Sequence, residues 1–241
     1  MTRRGKLYSM KDIAIFIFSK SKIIAKSWAN AGVECHLFDL YPEEDQPNII
    51  HHSGDIRKNR KVLGKLCREN NCVFIGSFTP CTDMAVAGAR HFEKKALNDA
   101  LFWAKAMELV YIGLDLAEYF DIPYFIENPK TVLGTLLDRK PEIKIHPWMY
   151  GAYLPEDHTH GLFPDIYPPK DAYPKETWLW IGNGLQIPAK KPVTPVRSDY
   201  PGWSKLGGKS ERTKEIRSCT PEGFAKALFE ANRHLITELC A

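Results

Sequence analysis

Two tripeptides carry the side chains best suited to chemistry, Thr79-Pro80-Cys81 and Glu127-Asn128-Pro129, and each directly follows a short apolar run. A thiolate is a strong nucleophile, and a carboxylate holds or delivers a proton at the group under attack. Cys81 and Glu127 therefore form a pair suited to covalent catalysis if the fold sets them side by side.

The flanking elements point that way. Residues 73–78 are β-branched and aromatic, are punctuated by Pro80, and give way to a helical pattern beginning near Thr82; residues 123–126 form a second apolar run that stops at Glu127. Strand, crossover helix and strand make a parallel βαβ unit, whose ligands bind beyond the carboxyl ends of the strands. Upstream, residues 12–18 read as a strand, 23–31 as a helix, 33–40 as a strand bearing Asp39 at its end, 49–52 as a short strand delivering Asp55-Ile56, and 61–70 as a helix. Downstream of Cys81, residues 96–119 have helical spacing. The alternation predicts an α/β fold with a doubly wound, mostly parallel sheet.

From Lys144 the composition changes. Prolines, glycines and tryptophans are frequent through residue 215, and a strand-like piece at 176–181 stands among long turns. Thr220 reads as the N-cap of a last amphipathic helix, with Pro221 at its first helical position. The 241 residues, 44% hydrophobic, are expected to form one catalytic domain over 1–241, of which 144–215 is the irregular part. No internal repeat or low-complexity segment is present.

Charge and cysteine content narrow the function classes. With 33 basic and 29 acidic residues the formal charge is +4, so a nucleic-acid surface would have to be a local patch. The six cysteines include no C-x-x-C pair and lack the density of a disulfide scaffold, which predicts reduced thiols and no structural zinc. His158-Thr159-His160 is a weak candidate for a metal, without a third ligand nearby, and no metal is expected. The basic start, Met1 to Lys6, is followed by no apolar segment long enough for a signal peptide or a membrane span, so the expectation is a cytoplasmic protein of a bacterial cell or phage-infected host, with no membrane partner.

Four motifs together resemble one family. Pro80-Cys81-Thr82, Glu127-Asn128-Pro129, His146-Pro147-Trp148-Met149-Tyr150-Gly151 and Thr220-Pro221-Glu222-Gly223-Phe224-Ala225 are similar, in type and order, to motifs of the DNA cytosine-5 methyltransferases, specifically their compact phage-type branch. The resemblance spans roughly residues 12–233. It implies the S-adenosylmethionine-dependent methyltransferase (Rossmann-like) fold, S-adenosyl-L-methionine as cofactor and DNA as partner. It also implies that Cys81 adds to carbon 6 of cytosine, that Glu127 holds ring nitrogen 3 and the exocyclic amine, and that Pro80, Asn128 and Pro129 shape the loops.

For the cofactor, an acidic residue ending the second strand is placed to accept hydrogen bonds from ribose hydroxyls, the position of Asp39. The resemblance adds Asp55 at the adenine amino group, Phe18 and Ile56 against the adenine ring, and Ser218 and Thr220 bordering the site. Taken alone, Asp39 and Asp55 also read as loop carboxylates and Phe18 as core.

The chain departs from the family pattern in three places. Phe18-Ser19-Lys20-Ser21-Lys22 stands where a glycine-rich turn is expected: the lysines meet the cofactor carboxylate in an altered geometry, or the cofactor is lost, or a phosphate-bearing ligand is favoured. The Gln-x-Arg-x-Arg strand is missing, its place taken by Thr177-Trp178-Leu179-Trp180. No room exists for a large target-recognition domain; the basic stretch 190–212, with Trp203, either tracks a phosphate backbone or is a surface loop. Three functions fit: cytosine-5 methylation of single- or double-stranded DNA, the same chemistry on a free pyrimidine nucleotide or RNA, or a catalytically inactive nucleic-acid- or protein-binding relative.

Overall fold

The computed structural model describes residues 10–197, 202, 206 and 210–237. Its centre is a seven-stranded sheet in the order β3-β2-β1-β4-β5-β7-β6, built from β1 (Asp12–Ile17), β2 (Glu34–Asp39), β3 (Ile49–Ser53), β4 (Asn71–Ser77), β5 (Tyr124–Asn128), β6 (Ile143–Ile145) and β7 (Thr177–Gly182). The strands from β3 to β5 pair in parallel, while β7 runs antiparallel to both of its neighbours. This is the doubly wound, mostly parallel α/β sheet that the alternation of strands and helices predicts. Among the described residues, no helix is long and apolar enough to cross a membrane.

Both sheet faces are covered, and the two-residue period of β1 divides its side chains between them. Ala14 and Phe16 face a layer containing α1 (Ile23–Asn30) and α7 (Glu222–Asn232), where Trp28 stacks on Phe74 at 5.2 Å. Ile13, Ile15 and Ile17 face α2 (Ile56–Glu69) and α4 (Phe102–Phe120). Gly113 lets α4 approach β4: a Cβ there would lie 3.2 Å from the Ser77 Oγ, at the strand end that leads to Cys81.

Several boundaries differ from the sequence reading for local reasons. Helix α2 starts at Ile56 rather than 61, because the Asp55 carboxylate caps it by accepting the Arg57 amide at 3.0 Å. The helical pattern across 96–119 is broken at Asp99 into α3 (Phe92–Asn98) and α4. Asp99 is extended and its side chain accepts the Leu101 amide, the competing local bond that disfavours aspartate inside helices. Two further short helices follow, α5 (Leu133–Leu136) and α6 (Glu211–Ser218), the latter starting inside the 144–215 part read as irregular.

Candidate active site

The Cys81 and Glu127 loops are joined along their length. The Asn128 amide, fully buried, donates to the Thr79 carbonyl at 3.0 Å and to its hydroxyl at 2.5 Å. Farther out, Val86 N donates to Lys130 O and Val132 N to Met84 O, a short ladder between the two loops. The Cys81 carbonyl accepts from the Met84 and Ala85 amides, closing a turn. Lys95 fastens that turn through the Thr82 carbonyl at 2.9 Å and the Asp83 carboxylate at 2.6 Å, and the Trp103 indole donates to the Asp83 carbonyl.

Cys81 and Glu127 open into one cavity of about 230 Å³, whose wall is completed by Pro147, Lys175, Thr220 and Phe224 from distant parts of the chain. Burial raises the pKa of the Cys81 thiol, and the Glu127 charge raises it further; Lys175 acts in the opposite direction. Burial also raises the Glu127 carboxyl, again opposed by Lys175. The helical pattern read from near Thr82 begins later: the next α-helix after Cys81 starts at Phe92, beyond an exposed 3-10 turn at Val86–His91, so no α-helix N-terminus stands at the thiol. Ionisation of the thiol must therefore come from the pocket's charges.

Phe18 and Pro80 also line a second, smaller cavity of about 100 Å³ with Asp39, Asp55 and Ile56. The turn after β1 forms without glycine because Phe18 itself takes the left-handed conformation, φ 59°, at a cost of roughly 1–3 kcal/mol. Asp39 accepts the Tyr41 amide at 3.2 Å, and burial raises its pKa. Asp55 is engaged twice, as the cap of α2 and with the Arg57 guanidinium at 3.1 Å. Lys20 is bound to Glu215 at 3.2 Å and Glu43 at 3.4 Å, so its charge is compensated within the chain. Lys22 lines a neighbouring cavity with Lys20 that shares Ser218 and Cys219 with the Cys81 cavity.

The last helix is set by a residue far from it in sequence. Thr220 is not its N-cap; Pro221 holds that position without a side-chain bond, and Asp171 accepts the Gly223 amide at 2.8 Å instead. Asp171 is fully buried, and burial pushes its carboxyl up to about 6. Glu222 pairs with His158 Nε2 at 2.6 Å, while His158 Nδ1 accepts the Lys170 amide. A Cβ at Gly223 would lie 2.6 Å from the Tyr150 carbonyl, so glycine permits α7 to seat against the Pro147–Tyr153 turn. Thr220 and Phe224 thereby reach the Cys81 cavity.

The structure thus gathers Cys81, Glu127, Pro80, Phe18, Ser218 and Thr220 around one cavity, and Asp39, Asp55 and Ile56 around its neighbour, while Asn128 lies beneath the surface and touches neither. Sequence reading missed Lys175, Thr177 and Arg217, which line the larger cavity. Lys175 and Thr177 stand two residues apart at the start of β7, the strand expected to replace the missing arginines. Trp203 and the segment Met1 to Lys6 lie outside the described residues; Lys190 to Arg197 are held to the Pro147–Tyr153 and Pro169–Asp171 turns by backbone bonds such as Val193 N to Trp148 O.

No family model matches the chain, and no curated protein matches it. Solved structures that match include the MycE methyltransferase from the mycinamycin biosynthetic pathway in complex with Mg and SAH, at a TM-score of 0.33 and 12% identity over 88% of this chain and 49% of that one. A second is the same enzyme with Mg, SAH and mycinamycin VI, at a TM-score of 0.31 and 10% identity over 87% of this chain and 48% of that one. The chain spans about half the length of these structures.

Proposed function

We propose that this chain transfers a methyl group from S-adenosyl-L-methionine to carbon 5 of cytosine in DNA through a covalent adduct on Cys81. The observation that supports this reading is the pair of adjoining cavities: Cys81 and Glu127 in one, Asp39 and Asp55 in the other, with Phe18 and Pro80 lining both. In this reading the smaller cavity takes part of the adenosine, with Phe18 and Ile56 as apolar walls for the ring and Asp39 for the ribose hydroxyls. When bound there, the cofactor supplies an electrophilic methyl group on a sulfonium.

The chain's residues do the rest. Cys81 Sγ adds to carbon 6 of the ring, and the displaced electron pair makes carbon 5 nucleophilic. Glu127, its pKa raised by burial, carries a proton to ring nitrogen 3 and accepts from the exocyclic amine, offsetting charge as sulfur adds. Burial is the main cause of the raised Cys81 pKa and the Glu127 charge adds to it, so protonation of Glu127 removes one of the two contributions that oppose thiol ionisation. After transfer, loss of the carbon 5 proton and departure of Cys81 Sγ restore the ring and the free cysteine. A base in duplex DNA would have to be flipped into the cavity, costing a few kcal/mol.

One observation favours a second substrate. Lys175 and Arg217 both line the Cys81 cavity, and two cations suit the phosphate of a free pyrimidine nucleotide. Incubation with cofactor and 5-fluorocytosine in duplex DNA, single-stranded DNA, RNA and free nucleotide separates the readings, because carbon 5 then has no proton to lose and Cys81 stays attached. We expect an adduct on DNA that Cys81→Ser abolishes; no adduct on any substrate would defeat the proposal. Protection of DNA from restriction is the corresponding biological role.

A further inference from the structure

The charge of this chain is unevenly placed. Helix α2 carries Arg57, Lys58, Arg60, Lys61, Lys65 and Arg68 against one acid, Glu69, a net +5 where the whole chain has +4. The remainder is therefore close to neutral. All six cations are exposed. Arg57 is committed to Asp55 and Glu108, and Lys65 stands 3.8 Å from Glu69. Lys58, Arg60, Lys61 and Arg68 form no ion pair among the described residues.

Shape accompanies charge. Gly64 interrupts the outer face of α2, and a Cβ there would meet the Arg68 guanidinium at 3.3 Å. Glycine inside a helix costs about 1 kcal/mol relative to alanine; here it opens a groove of about 350 Å³ between α2 and α4, flanked by Arg60 and Arg68. Tyr119, 83% exposed, stands on its rim, and Asp115 is its one carboxylate.

We propose that the outer face of α2, with the α2/α4 groove, binds the phosphodiester backbone of the DNA whose base occupies the Cys81 cavity. The proposal rests on the DNA reading above. Helix α2 starts at Ile56, capped by Asp55, and both residues line the smaller cavity, which adjoins the Cys81 cavity through Phe18 and Pro80, so its basic face leads away from the site. Its 14 residues extend roughly 21 Å, enough to follow about six phosphates of one strand at 3.4 Å of axial rise each. This surface takes up the positioning that a recognition domain would otherwise supply, through contacts that carry no base readout.

The test measures binding of the full chain to a 20-bp duplex, a single strand of the same sequence and phosphatidylserine vesicles over a salt series. The variants are the triple Arg60→Gln, Lys61→Gln, Arg68→Gln and its charge-keeping counterpart Arg60→Lys, Lys61→Arg, Arg68→Lys. We expect DNA affinity to fall at least about tenfold in the first and to persist in the second, and the log–log salt slope to drop by about 2.7 for three lost phosphate contacts. If the triple variant does not fold, the pair Lys58→Gln, Lys61→Gln serves, with a slope change of about 1.8. An unchanged slope, a wild type that binds no DNA, or binding to vesicles in preference to DNA overturns the proposal. Cytosine trapping is scored separately: an adduct with an unchanged slope removes the α2 surface and keeps the methylation reading, and a lost slope without any adduct does the reverse.

Discussion

The Asn128 amide group donates to both the carbonyl and the hydroxyl of Thr79, and so fixes the distance between the loop that carries Cys81 and the end of the strand that carries Glu127. Asn128 is fully buried, so its part is positioning. Asn128→Ala leaves two buried Thr79 oxygens without that donor and should cost about 2 kcal/mol. Chemical denaturation is expected to show that loss, with trapping of 5-fluorocytosine DNA slowed in protein that is still folded. Wild-type stability in the variant would show that the two loops are held by other means.

How far the sequence disclosed this arrangement depends on the range of each interaction. Six of the seven strands were legible from their apolar runs, and Cys81 and Glu127 because each closely follows such a run, whereas the three-residue β6 left no run to read. Asp171 capping α7 was not, since a cap supplied from another segment leaves no local pattern and Thr220 offered a better one. Phe18 in a left-handed turn runs against the rule that glycine makes such turns, so the lysines after it left an altered cofactor turn, a lost cofactor and a phosphate-bearing ligand all open. Lys175 was hidden because a single lysine before a strand has no distinguishing context until β7 is laid beside β5.

The thiol should report its neighbours directly. Because the Glu127 charge raises the Cys81 pKa and Lys175 lowers it, Glu127→Gln should speed alkylation of Cys81 by iodoacetamide at pH 8 and Lys175→Met should slow it. Each change is expected to be about threefold or more, since pKa feeds directly into the thiolate fraction. Cys81→Ser identifies the signal, and rates that do not separate in opposite directions would remove Lys175 from the site's electrostatics.

Asp171 predicts a pH dependence of stability. Its carboxyl is raised from 3.8 to about 6 in the folded chain, so between those values the folded state holds the proton more tightly than the unfolded one. The stabilisation is complete below about 3.8 and is lost as pH rises through about 6, an effect of about 3 kcal/mol at most. Asp171→Asn keeps an acceptor for the Gly223 amide and carries no charge, so the fall in Tm between pH 4 and pH 7 should be smaller in the variant. Identical slopes in variant and wild type would show that Asp171 is not the group responsible.

Binding of the cofactor separates the two carboxylates of the smaller cavity. Asp39 lies at the end of β2 with one oxygen occupied by the Tyr41 amide, whereas Asp55 already caps α2 and binds Arg57. Calorimetry of the wild type with S-adenosyl-L-methionine is expected to give micromolar binding, about −8 kcal/mol. Asp39→Ala should weaken it at least about tenfold without loss of stability, because a partly desolvated carboxylate is removed. Asp55→Ala should weaken it too, but with a fall of about 1 kcal/mol in stability from the missing cap. A wild type that does not bind the cofactor, with or without DNA, would mean that Phe18 and the lysines after it no longer form a cofactor turn, and the methyl-transfer reading would fall with it.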